Sequence, residues 1–190
     1  MISPRESVMQ LAYLTRPGGL ETALDFWIDQ VGAGPFYIGS FPLMNQTFHG
    51  KPTDMTCVVA LGYHGDMQIE LIEPTNNAPG PYREWLEMHP LLPRGGLYHH
   101  IMMDHVDFDA TYARYLAAGC KEGFIATAPS GGRIAYLEAF DTIGGYIELV
   151  ESNPGWSQMC VEMREISRNW DGGNPRRGFE TLNARIEPIR

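Results

Sequence analysis

Two short stretches place a carboxylate in the same setting, 78 positions apart. Gln68-Ile69-Glu70-Leu71-Ile72-Glu73 and Tyr146-Ile147-Glu148-Leu149-Val150-Glu151 share an Ile-Glu-Leu-x-Glu core. Side chains alternate faces along a strand, so Ile69 and Leu71 point one way and Glu70 the other; Ile147, Leu149 and Glu148 repeat that split. A carboxylate between two packing residues, twice, predicts two equivalent sheets delivering two acids to one site. The alternative is a pair of edge strands with solvated Glu. Two further polar residues stand inside apolar strands, where they need partners. These are Gln10 in Met9-Gln10-Leu11-Ala12-Tyr13 and His100 in His99-His100-Ile101-Met102-Met103. Gln10, Glu70, His100 and Glu148 together offer two carboxylates, an amide oxygen and an imidazole, a donor set for one divalent cation: Zn, Mn, Co, Ni or Mg. Overlaying the two stretches favours His100 over His99, and a one-residue slip would exchange them. His49, His64, His89 and His105 have no counterpart in the repeat and read as surface or loop residues, with His105 the reserve ligand.

The elements that must carry these residues recur. Val8 to Leu14 reads as a strand, and Leu20 to Val31 as a helix with an apolar stripe of Leu20, Leu24, Phe26, Trp27 and Val31. Pro35 to Phe41, Met55 to Tyr63 and Met67 to Glu73 read as strands, the last two joined by Gly65-Asp66. After a Pro/Asn/Gly-rich linker and a short helix over Tyr82 to Met88, the order returns. It runs through a strand from Leu97 to His105, a helix from Phe108 to Ala118, and strands Phe124 to Ala128, Ile134 to Phe140 and Gly145 to Glu151. A helix around Gln158 to Arg168 and an extended or disordered arm from Asp171 follow. The reading is an α+β fold: two tandem βαβββ modules, 1–74 and 97–152, joined by a linker (75–96) and followed by a C-terminal helix and arm (153–190). Such duplicated half-sheets build a curved half-barrel with a cleft between them.

Composition narrows the partners. Net charge is −9, and Lys51 and Lys121 are the only lysines. Nucleic acid and anionic membranes need a positive surface and are excluded as partners. No apolar run approaches the length of a membrane span. Cys57, Cys120 and Cys160 are scattered and odd in number, which fits reduced thiols, and the opening residues lack a secretory apolar run. A cytoplasmic protein with a small-molecule substrate is expected.

Gln10-Leu-Ala-Tyr, followed by the helix and Val31-Gly-Ala-Gly-Pro-Phe36, resembles the opening of the vicinal oxygen chelate superfamily. That group includes glyoxalase I, methylmalonyl-CoA epimerase, extradiol dioxygenases and antibiotic-resistance binding proteins. Ile69-Glu70-Leu71, Gly96-Leu97-Tyr98-His99-His100 and Gly144 to Leu149 resemble its other landmarks, over roughly residues 7 to 152. The resemblance implies that Gln10, Glu70, His100 and Glu148 bind one divalent metal, zinc first by analogy with glyoxalases carrying Gln in the first place. It implies metal-stabilised enolate chemistry on a small carbonyl-containing metabolite, by an isomerase, epimerase or lyase. Glu148 is the first candidate base and Glu70 the second, with Gln68, Tyr98, Met102 and Tyr146 expected around the substrate. A glyoxalase I-type lactoylglutathione lyase and a non-catalytic, resistance-type binder are the alternatives. Where the family holds glutathione with Arg and Asn, this chain has Leu14 and Pro74. The resemblance also implies a homodimer, with the C-terminal arm free to wrap a neighbour.

Overall fold

The structure, a computed structural model, describes residues 7–104, 107–151 and 153–183. Strand β1 (Ser7–Leu14) leads into helix α1 (Leu20–Phe26), which ends in a wider, π-type turn over Trp27–Val31. Strands β2 (Phe36–Gly39), β3 (Met44–Phe48), β4 (Lys51–Pro52), β5 (Cys57–His64) and β6 (Met67–Pro74) follow. After helix α2 (Pro81–Met88) come β7 (Leu97–Asp104), α3 (Phe108–Ala117), β8 (Lys121–Thr127) and β9 (Arg133–Ala139). A helical turn α4 (Phe140–Ile143), strand β10 (Gly145–Val150), helix α5 (Pro154–Arg168) and strand β11 (Arg176–Gly178) complete the described chain.

All the strands join one curved sheet, in the order β11-β2-β5-β6-β1-β7-β10-β9-β8-β3-β4. β1 lies parallel to β6 and β7 parallel to β10, while β1 and β7 meet antiparallel at the centre. The two halves therefore repeat one plan about the β1–β7 seam.

Strand alternation sorts the core into two faces. On the convex side Ile69 and Leu71 pack with Leu20, Ala23 and Leu24 of α1, and the equivalent Ile147 and Leu149 pack with Phe108 of α3. The concave side holds a third cluster, closed by Tyr82 and Trp85 of α2 and by Met159 and Met163 of α5. The last Glu of each repeated stretch secures its own half. Glu73 accepts the Leu20 amide at 2.8 Å at the start of α1, and Glu151 accepts from the Arg133 guanidinium and amide.

Several expectations are corrected. Residues 44–52 form a hairpin that crosses to the far half, β3 pairing with β8. The turn after β9 is helical, and α5 begins at Pro154, four residues earlier than expected, because the Asn153 side chain caps it by accepting from the Trp156 amide. The arm is neither free nor extended away: β11 adds to the edge of β2 in its own chain, and Leu182 is buried. Residues 184–190 of the arm lie outside the described residues, as does His105. Among the described residues no helix is long and apolar enough to cross a membrane.

Candidate metal centre and cavity

The four innermost strands, β6-β1-β7-β10, carry one candidate each. Gln10 sits level with Gln68 and Met102, Ala12 level with Glu70 and His100, and Glu148 level with Met102. The pleat then turns Gln10, Glu70, His100 and Glu148 onto the concave face, where they meet.

A bulge shapes the centre. Ala12 pairs with His100 and Tyr13 with Tyr98, which leaves His99 unpaired in β7. An extra residue re-aims its neighbours, and both imidazoles point inward. The His99 ring lies 4.9 Å from the Tyr146 ring and 5.7 Å from that of Tyr136, and the His100 ring 5.0 Å from Tyr136. β10 can pass this close only because it starts with glycine: a Cβ on Gly145 would come within 2.5 Å of the His99 carbonyl oxygen.

Three oxygens converge on one ring nitrogen. His100 Nε2 lies 3.1 Å from Glu148 Oε2, 3.3 Å from Glu70 Oε2 and 3.4 Å from Gln10 Oε1. A ring nitrogen carries at most one proton, so three acceptors share a single donor. One ligand atom from each of Glu70, His100 and Glu148 lies within 4.8 Å of the others, a grouping that could hold a metal ion. Groups behind the centre fix its orientation. Gln10 Nε2 donates to Gln68 Oε1 at 2.6 Å, which leaves the Gln10 oxygen facing His100. Gln68 in turn donates to the Tyr63 hydroxyl at 3.1 Å. His99 Nδ1 and His100 Nδ1 are 2.8 Å apart.

Burial sets the charges. Desolvation alone would lower the His100 imidazole, but the charge and hydrogen bonds of Glu148 and Glu70 reverse this and hold it up to about 9. Burial, reinforced by the charge on His100, pushes His99 well below the ordinary imidazole range. Burial also raises the Glu70 carboxyl. The proton shared across the two Nδ1 atoms therefore belongs to His100, and His99 accepts it.

Above the centre opens a cavity of about 360 Å³. Gln10, Glu70 and Glu148 line it together with apolar walls that include Phe41, Leu43, Leu61, Ile134 and Trp156. No lysine or arginine is among its described lining residues. Of the side chains expected around a substrate, Met102 lines this cavity. Gln68 instead lies behind Gln10, Tyr98 sits with its ring 6.3 Å from Tyr13, and Tyr146 belongs to the aromatic box around His99. Sequence reasoning missed Tyr82 and Tyr136, whose hydroxyls meet at 2.9 Å inside the cavity wall. Tyr136 was readable in principle, because it stands opposite Glu148 in β9 and shares its face; Tyr82 arrives on a helix and gave no strand signal.

The family model described as the glyoxalase/bleomycin resistance protein/dioxygenase superfamily matches residues 9–136. Among solved structures, methylmalonyl-CoA epimerase from Mycobacterium tuberculosis shares the fold at 18% identity and a TM-score of 0.53, covering 83% of this chain and 97% of that one. The hypothetical protein BH1468 from Bacillus halodurans C-125 aligns at 14% identity and a TM-score of 0.52, covering 78% of this chain and 95% of its own. No curated protein matches the sequence.

Proposed function

We propose, from the premise that this chain belongs to the glyoxalase/bleomycin resistance protein/dioxygenase superfamily, that it is a metal-dependent isomerase, epimerase or lyase. Its substrate would be a small, largely apolar carbonyl compound. The observation that carries this reading is the convergence of Glu70, Glu148 and Gln10 on His100 Nε2 at the floor of an apolar cavity. Gln10, Glu70, His100 and Glu148 would hold the ion, and the two carboxylates, one neutral oxygen and one imidazole suit zinc or a similar divalent cation. When bound, such an ion polarises a carbonyl as a Lewis acid and acidifies the adjacent C–H.

The chain's own residues supply the rest. Glu148 is the first candidate to take the proton and Glu70 the second, burial raising the Glu70 carboxyl above its ordinary range. Two carboxylates on opposite strands allow removal of the proton on one side and return on the other. The apolar walls exclude water from the carbanion, and the Tyr82 and Tyr136 hydroxyls offer hydrogen bonds to a substrate oxygen. A CoA ester, the substrate class in the name of one structural neighbour, fits less well, since no cationic side chain among the described residues lines the cavity. Lactoylglutathione is also disfavoured, because Leu14 and Pro74 are buried.

The test is proton exchange. Metal-loaded protein in D2O, given a panel of small apolar ketones and 1,3-dicarbonyl compounds, is expected to place deuterium alpha to the carbonyl, and Glu148→Gln to abolish it. Tight binding of the same compounds with no exchange under any divalent metal would replace this reading with that of a binder, which the aromatic wall around Trp156 would also serve.

A further inference from the structure

A second group of ligand-type side chains lies apart from the first. His49 at the tip of the β3–β4 turn, Glu84 on α2 and Glu138 on β9 bring their ligand atoms within 4.8 Å of one another. His49 Nε2 is 3.5 Å from Glu84 Oε2 and 3.5 Å from Glu138 Oε1. That spacing is poor for a hydrogen bond, which prefers about 2.7–3.2 Å. It matches the edge of a tetrahedron around zinc, about 3.4 Å when the bonds are about 2.0–2.1 Å. His49 is held in place independently of the cluster: its amide donates to the Gly123 carbonyl at 2.8 Å, and its backbone is left-handed, with φ 47°.

A different observation points to the same spot. Tyr146 is wholly buried, and its hydroxyl has no hydrogen-bond partner among the described residues. A buried hydroxyl without a partner is costly to leave unsatisfied. Tyr146 sits directly across from Glu138 in the β9–β10 ladder. A Cβ on Gly123 would lie 3.1 Å from Tyr146 Cε1 and 3.4 Å from Glu138 Cγ, so the phenol and the carboxylate stem converge over that glycine. Burial raises the Tyr146 phenol, and the charges of Glu84 and Glu138 raise it further. Burial also raises Glu138, and Glu84 adds to this, while His49 and Lys121 act the other way.

We propose that His49, Glu84 and Glu138, with the Tyr146 hydroxyl behind them, form a second divalent-cation site of the zinc class, distinct from the one beneath the cavity. Its ligands come from the β3–β4 turn, α2 and β9. An ion there ties the crossing hairpin and α2 to the sheet, and α2 carries Tyr82 of the cavity wall and Trp85, whose ring packs at 6.2 Å on His99. One imidazole with two carboxylates suits zinc or a similar divalent transition cation.

The test counts zinc. Chelator-treated wild type, His49→Asn, Glu84→Gln and Glu148→Gln are titrated with zinc against a chromophoric chelator. Asn tolerates the left-handed backbone at position 49. His49→Asn and Glu84→Gln are each expected to take up one equivalent less than wild type, and Glu148→Gln to retain the equivalent that depends on His49. Tyr146→Phe is expected to keep that equivalent with affinity weakened roughly 10- to 100-fold, and to lose the tyrosine ultraviolet difference signal that zinc induces in wild type. Circular dichroism of the metal-free forms checks that each variant is folded. Equal zinc stoichiometry and affinity in wild type, His49→Asn and Glu84→Gln would overturn the site. Loss of zinc by Glu148→Gln with no effect of His49→Asn would assign all binding to the first centre and overturn it equally.

Discussion

Replacing Glu70 by Gln should make the metal-free protein more stable and the metal-binding protein worse. Without a cation, one imidazolium at His100 faces two carboxylates, Glu70 and Glu148, all three nearly or fully buried. The cluster carries a surplus negative charge in a place where desolvation already pushes Glu70 toward its neutral form. Glu70→Gln removes that surplus and leaves the 3.1 Å His100–Glu148 pair intact. The new amide also donates, which relieves the shortage of protons at the centre. Relief of a buried, uncompensated charge is worth about 1–2 kcal/mol here, a fraction of the 3–5 kcal/mol seen when a buried charge loses its only partner. For a chain of this length that raises Tm by about 2–8 °C. Metal affinity moves the other way, because a charged ligand becomes neutral; a loss of about 2–5 kcal/mol, roughly 30- to 5,000-fold, is expected. Scanning calorimetry of chelator-treated protein, then with added zinc, reads both. Wild type should gain Tm with zinc, by about 2.7 kcal/mol of stability at a hundredfold excess over Kd, and Glu70→Gln should gain far less. A metal-free Glu70→Gln protein that melts below wild type, or that takes zinc equally tightly, would refute the charge argument.

Gln68→Leu, which touches no proposed ligand except through Gln10, should weaken metal uptake roughly 10- to 100-fold by freeing the Gln10 amide to rotate, measured by chelator competition. Leu71→Ala and Leu149→Ala occupy equivalent, fully buried positions under α1 and α3, and each should cost about 2–5 kcal/mol in urea unfolding, with similar values; a large cost at one and none at the other would contradict the equivalence of the halves. The hydrogen bonds from Arg133 hold the Glu151 carboxyl below its ordinary 4.5. That stability is therefore present at neutral pH and fades as pH falls through the lowered value. Both groups are more than a third exposed, so the contribution is under about 1 kcal/mol, and the deficit of Arg133→Met relative to wild type should shrink on acidification.

What was legible in the sequence is what strand periodicity encodes. Glu70 and Glu148 stand out because Ile69, Leu71, Ile147 and Leu149 mark the opposite face twice, and Gln10 and His100 because polar groups interrupt apolar strands. The bulge at His99 was not legible: both members of a His-His pair facing one side violates alternation, and only the β1–β7 register reveals it. That same irregularity explains why Tyr98, expected around the substrate, packs against Tyr13 instead. Met44 to Phe48 lacks alternation and was invisible as a strand, because its pairing with β8 joins segments of different modules far apart in sequence. His49, read as a surface or loop residue, is indeed exposed in the β3–β4 turn, and the hairpin crossing brings it beside Glu84 and Glu138. β11 is three residues long, too short for propensity to speak; the open edge of β2 makes it a strand.

The duplicated plan supplies equal carboxylates, but the positions beside them are unequal, Gln10 on one side of the seam and His100 on the other. That inequality decides the electrostatics. With Gln10 there is one cation for two anions, a single shared proton for three acceptors, and a neutral oxygen fixed by Gln68 so that it cannot turn its donor inward. A divalent ion held there would resolve all three imbalances together: its two charges would match the carboxylates, His100 could give up the Nε2 proton and keep the one it donates to His99, and each oxygen would gain a partner. The fold thus holds a local conflict in its centre that a bound cation would remove, while burial raises the Glu70 carboxyl on the cavity wall.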